Sequence, residues 1–201
     1  MKGLIIRTIL LTAAYWAVSH LVATFYAAYG MLPAPIWPAA GIALPAAMLL
    51  GIRAAPGLYA GAVLANAVSL GAPWATAALI GIMNTAGPLV AAQLINTRAR
   101  KLPPFYDLYS LSLFLLAGVL LQAALTASGG ISSLLIGGGL QLSQAPFSWF
   151  KWFIAHAGGT LFFAPVVLLW QENRSFGLSG RIRNEALLTM LILLLVTLGI
   201  F

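Results

Sequence analysis

Few residues in this chain of 201 could do chemistry, and those that could stand apart from one another. The two histidines, His20 and His156, have no cysteine to join them, because the chain contains none. The three acidic residues, Asp107, Glu172 and Glu185, all flank polar gaps rather than lying inside apolar runs. Metal binding needs further ligands, so two isolated histidines argue against it and no cofactor is expected. Paired carboxylates, phosphate-cradling loops, nucleophile elbows and dinucleotide fingerprints are all absent from the sequence. Proton or cation pumping wants an acidic group at mid-membrane, and none is placed there. What remains is recognition chemistry. Asn66 and Asn84 each bring an amide into an apolar run, and Trp37, Trp152 and His156 bring indole and imidazole rings. Such groups suit a neutral or anionic small ligand better than a cation.

The elements that must hold these groups follow from composition. A chain that is 62% hydrophobic and 6% charged, with mean hydropathy +1.00, is an all-α polytopic membrane bundle. Its runs are continuously apolar, whereas a transmembrane barrel would alternate. Spans are expected at Thr8–Ala28, Ala39–Ile52, Gly57–Gly71, Ala75–Asn96, Leu108–Ala127, Trp149–Trp170 and Asn184–Phe201, seven in all within one transmembrane domain covering residues 1–201. The first run is longer than a signal peptide's and is expected to be retained. With the amino terminus inside, nine of the ten basic residues fall in cytoplasmic gaps and only Lys151 does not. The net charge of +7 is therefore a topology signal and not a nucleic-acid surface. Asp107, just after Pro103-Pro104, stands where a carboxylate caps a helix start. The Gly-rich stretch from Ser128 to Gly139 is an outer loop or a kinked extension of the fifth span.

The second and third spans are each roughly 21 Å long, short of a roughly 30 Å hydrocarbon core. Prolines and glycines interrupt both, and a re-entrant hairpin competes with two crossings. That hairpin would put Arg53 at mid-membrane, which is costly. Irregular backbone at that depth usually surrounds a cavity. Helical rise puts Asn66 about 14 Å from the inner edge and Asn84 about 15 Å from the outer edge. Each either bonds a neighbouring helix or faces a site. His20 and His156 fall in the outer half with Trp37, Trp74, Trp149 and Trp152, where an aromatic belt is expected.

The order Trp37-Pro38, Gly41, Gly51, Arg53, Pro56-Gly57, Gly61 and Ala65-Asn66 resembles the bacterial membrane-associated sensor domains, the first type of the MASE class. Asn84-Thr85 stands where that family has a Gly-Asn-Thr run, and Trp152, Gly159 and Pro165 keep its later spacing. His156 occupies a place where the family commonly has Asp, and Gly87-Pro88 replaces an acidic residue. Pro38, Gly41, Arg53, Pro56, Gly57, Gly61, Gly159 and Pro165 are thereby expected to be structural, and Trp37, Asn66, Asn84, Trp152 and His156 to be sensing residues. Ser128-Gly129 with His156 is also weakly similar to rhomboid-type proteases, yet Thr126 replaces their leading glycine.

The resemblance implies a non-enzymatic input domain of the bacterial inner membrane, with its amino terminus in the cytoplasm. Such domains serve diguanylate cyclases, phosphodiesterases of c-di-GMP and two-component histidine kinases. Its partners would be the bilayer, a small ligand or membrane protein, and a second copy joined through the output domain. A small-solute transporter component is the rival reading, which broken helices also permit. Seven spans would leave Phe201 outside, so an eighth span is expected before any cytoplasmic output domain.

Overall fold

The computed structural model describes residues 2–31, 34–101 and 103–172. Among them every regular element is helical: α1 (Lys2–Ala28), α2 (Pro38–Leu50), α3 (Ala55–Leu64), α4 (Trp74–Arg98), α5 (Leu108–Leu113), α6 (Gln122–Ile136) and α7 (Ala145–Glu172). Residues 1–169 form one unit. Among the described residues five helical stretches are long and apolar enough to cross a membrane: Gly3–Ala28, Pro38–Ser69, Trp74–Arg98, Leu108–Ile136 and Leu142–Gln171. The expected count of seven is therefore not confirmed. The predicted second and third spans are the two arms of Pro38–Ser69, and Asn184–Phe201 lies outside the described residues.

Those two arms run in opposite directions along the bundle. Trp37, at the start of α2, stands beside Tyr15 and Asn84, whereas Met48, near its end, takes a hydrogen bond from Asn96 at 2.8 Å. Thus α2 runs parallel to α4. Meanwhile α3 runs parallel to α1: Gly57 accepts from Thr12 at 3.2 Å, Gly61 packs on Tyr15, and Ser69 meets His20 at 3.1 Å. The reversal falls at Gly51, whose φ of 58° and ψ of −140° only glycine adopts without strain. A 3₁₀ turn, Gly51–Ala54, follows, leaving Arg53 exposed at the end of the bundle that also carries Arg98 and Arg100.

Small residues set the helix spacing. Gly57 and Gly61 let α1 lie close on α3, and Gly41 lies against Phe163 and Ala164 of α7. Buried Gln122 ties three helices together, its Nε2 donating to Thr160 Oγ1 at 3.3 Å and to the Ala40 carbonyl at 3.4 Å. The outer surface is apolar, with Leu10, Leu21, Leu116 and Phe162 each more than 60% exposed, as lipid contact demands. Residues 114–121 continue α5 into α6 as a wide π turn. From there α6 runs through Ser128 to Ile136, so the Gly-rich stretch is largely an extension of the fifth span, the loop beginning only at Gly137.

Candidate functional site

The helix α2 begins half-way through the bundle. Tyr15 is the midpoint of α1, Ala155 lies about 15 Å into α7, and Asn84 about 15 Å into α4 by helical rise. Trp37 reaches this level in extended backbone, donating its N–H to the Ala155 carbonyl at 2.9 Å. The close approach requires Gly159, since a Cβ there would run into the Trp37 carbonyl. Pro38 then starts α2 in its first turn, where its missing N–H is no loss. Pro56 does the same for α3.

Beside this half-helix lies a cavity of about 420 Å³. Leu70, Ala72, Leu140 and Ser148 line it toward the end of the bundle that carries Trp74 and Trp149. Its inner wall is formed by Trp37 just before α2, Asn66 just after α3, Asn84 of α4, and Trp152 and His156 of α7. These are the five residues singled out as sensing candidates. Among the described residues no charged side chain lines it. Its volume is that of a small-molecule site, and its walls are mainly apolar with a few convergent polar groups.

Each polar group has a definite setting. Asn66 sits in a π turn, Ala65–Ser69, and donates to the Ala62 carbonyl of its own helix at 2.9 Å. The inter-helix bond that the sequence suggested for it is not the one it makes. The two asparagines do not pair with each other. Asn84 Oδ1 and the indole nitrogen of Trp152 are buried with no hydrogen-bond partner, while Trp37 and Asn84 both reach the Tyr15 hydroxyl. Pro88, one turn beyond Asn84, has no N–H to give the Asn84 main-chain carbonyl. His156 is 4% exposed, its Nδ1 lies 3.2 Å from Thr126 Oγ1, and its ring stacks on Trp152 at 5.8 Å and 23°. Trp152 in turn rests on Gly130, where a Cβ would stand 2.6 Å from the indole.

Sequence reasoning missed Tyr15, 1% exposed behind Trp37 and Asn84, because one tyrosine in an apolar run carries no signal of direction. It also missed Thr126, whose i−4 hydroxyl bond is common in membrane helices. His20 lies outside this cavity, against Trp16 and Ser69. Pro165 is inside α7, and Arg53 is remote at the opposite end. No group of three or more potential metal ligands occurs among the described residues.

A helical bundle with an apolar outer surface and several stretches long enough to cross a bilayer defines a multi-pass membrane domain. The model of the MASE1 family matches residues 6–201, so the chain belongs to MASE1, a family of membrane-associated sensor domains. No curated protein and no solved structure matches it.

Proposed function

We propose that this chain is the sensory input domain of a bacterial signal-transduction protein of the cytoplasmic membrane. It binds a small ligand in the cavity at Trp37 and His156 and reports occupancy to a cytoplasmic output domain for c-di-GMP turnover or histidine phosphorylation. The end bearing Arg53, Arg98, Arg100 and Lys101 faces the cytoplasm under the positive-inside rule, which opens the cavity to the outer face. The chain itself is not a catalyst.

One observation carries this reading: five polar or aromatic groups in or next to four helices converge on one cavity beside the start of a half-helix. A ligand there touches residues in or next to α2, α3, α4 and α7 together, so it favours whichever packing of these helices fits it. In this reading the arms of the Pro38–Ser69 segment, joined at Gly51, are the elements that shift.

The test uses the full-length protein. Trp37→Ala and His156→Ala should each abolish most of the stimulus response while membrane insertion and protein level stay normal. Normal responses from both variants would remove the cavity from signalling. The mid-depth start of α2 also suits a small-solute carrier. Flux of solute into proteoliposomes, absent in a Trp37→Ala variant, would establish that second reading over the sensor.

A further inference from the structure

We infer that the cavity takes an uncharged ligand bearing a hydroxyl or N–H group, and that His156 Nε2 accepts its hydrogen bond; this rests on the sensory reading above. The argument starts at Thr126. Its hydroxyl has one hydrogen, and Oγ1 lies 3.0 Å from the Gln122 carbonyl and 3.1 Å from that of Ala123, both acceptors only. The hydrogen is committed to the helix's own backbone, a common arrangement for threonine in an apolar helix. Toward His156 the same oxygen therefore offers a lone pair, and Nδ1, 3.2 Å away, must carry the proton that it donates.

His156 is buried and, among the described residues, no carboxylate or other charged side chain lines the cavity wall to which it belongs, so the ring is the neutral imidazole. A neutral imidazole protonated at Nδ1 presents only a lone pair at Nε2. Among the described residues no donor is bonded to that nitrogen. Stacking on Trp152 holds the ring plane, so the lone pair has a fixed direction. Thr126 is thus a positioning residue that sets which face of the imidazole the cavity sees. An acceptor in an uncharged apolar chamber selects a donor, and an ionic ligand would find no countercharge there.

The experiment uses the full chain in lipid nanodiscs with His20→Gln, which leaves His156 as the only imidazole of the original two. With ¹⁵N-labelled histidine, nitrogen NMR should show a protonated Nδ1 and a bare Nε2. Phenol is the probe, and anisole, of like shape with no donor, is the control. Phenol should shift Nε2 saturably and leave Nδ1 in place, while anisole moves Nε2 little. Thr126→Val should transfer the proton to Nε2 and weaken phenol about tenfold, as loss of one matched hydrogen bond does. Thr126→Ser, which retains the hydroxyl, should restore both. A proton on Nε2 in the unliganded protein, or equal shifts from phenol and anisole, would overturn the inference and leave the cavity standing. An Nδ1 proton with no response of His156 or the tryptophans to either molecule would overturn the binding site itself, and the inference with it.

Discussion

The backbone N–H of Trp37 donates to the carbonyl of Ala155 at 2.9 Å, which pins an extended segment to the middle of a long helix. Gly159, one turn further along that helix, makes room for it. Everything in the candidate site depends on this contact, because it places the start of α2 at mid-depth.

Gly159→Ala should therefore be costly. The new methyl group meets backbone and not a side chain that could swing aside, so the segment or α7 must move. A loss of about 1–3 kcal/mol is expected for overpacking of this kind. Thermal unfolding in detergent would show it as a clear fall in melting temperature. Gly3→Ala, where nothing lies within 4 Å, should leave the melting temperature unchanged or slightly raised.

Gly130→Ala should separate binding from stability. Its Cβ would meet the far end of the Trp152 indole, which can tilt. The expected outcome is a small change in melting temperature, within about 1 kcal/mol, but a displaced indole in the cavity. A shifted tryptophan emission together with a weakened stimulus response would be the measured signs.

Asp107 should give the domain an acid-sensitive limb. Its Oδ1 accepts from the Ser110 backbone at 2.9 Å and its Oδ2 from the Ser110 hydroxyl at 2.9 Å. The backbone bond foremost, aided by that hydroxyl and by the charge of Arg100, holds the carboxyl below its ordinary value. A carboxyl lowered by folding stabilises at pH above its unfolded value, about 4, and that contribution is lost as pH falls through the folded value. Melting temperature measured against pH should fall on the acid side in the wild type. The Asp107→Asn protein should lose part of that slope, and superimposable curves would refute the cap.

The reversal at Gly51 is open to labelling. Ile52 is 75% exposed at the turn, whereas neighbouring Ala54 is fully buried. In a cysteine-free chain, Ile52→Cys should react with an impermeant maleimide from the same side of the membrane as Arg100→Cys. Ala54→Cys should react from neither side. Reaction of Ile52→Cys from the opposite side would refute the orientation of α2 and α3.

Much of this architecture was legible in the chain because membrane residence leaves few options. Continuous apolar runs fixed the class, and Pro38, Pro45, Gly51 and Pro56 marked where helices must stop or bend. Asn66 and Asn84 stood out because amides are rare at that depth, and helical rise alone put both near the midplane. Span counting was less secure, since Gly51 joins two opposed arms of one helical segment without a polar loop to announce it. Helix α6 outran expectation for a related reason. Gly129 and Gly130 look like loop residues in a list, but they are contact points for Met83 and Trp152. What a glycine touches is a tertiary fact, and so is the shielding of Tyr15.

The non-helical run at residues 34–37 also has a geometric consequence. A helix with its side chains occupies a cylinder about 10 Å across, whereas a single non-helical strand of backbone is narrower. Where the upper half of a helix would have stood, the bundle has only a thread of chain. The chamber lies beside that missing half-cylinder, so the route of the backbone helps to make room for it. Substitutions along its walls would then re-tune what fits inside while leaving the vessel intact, so one scaffold could be re-addressed to new signals without being rebuilt.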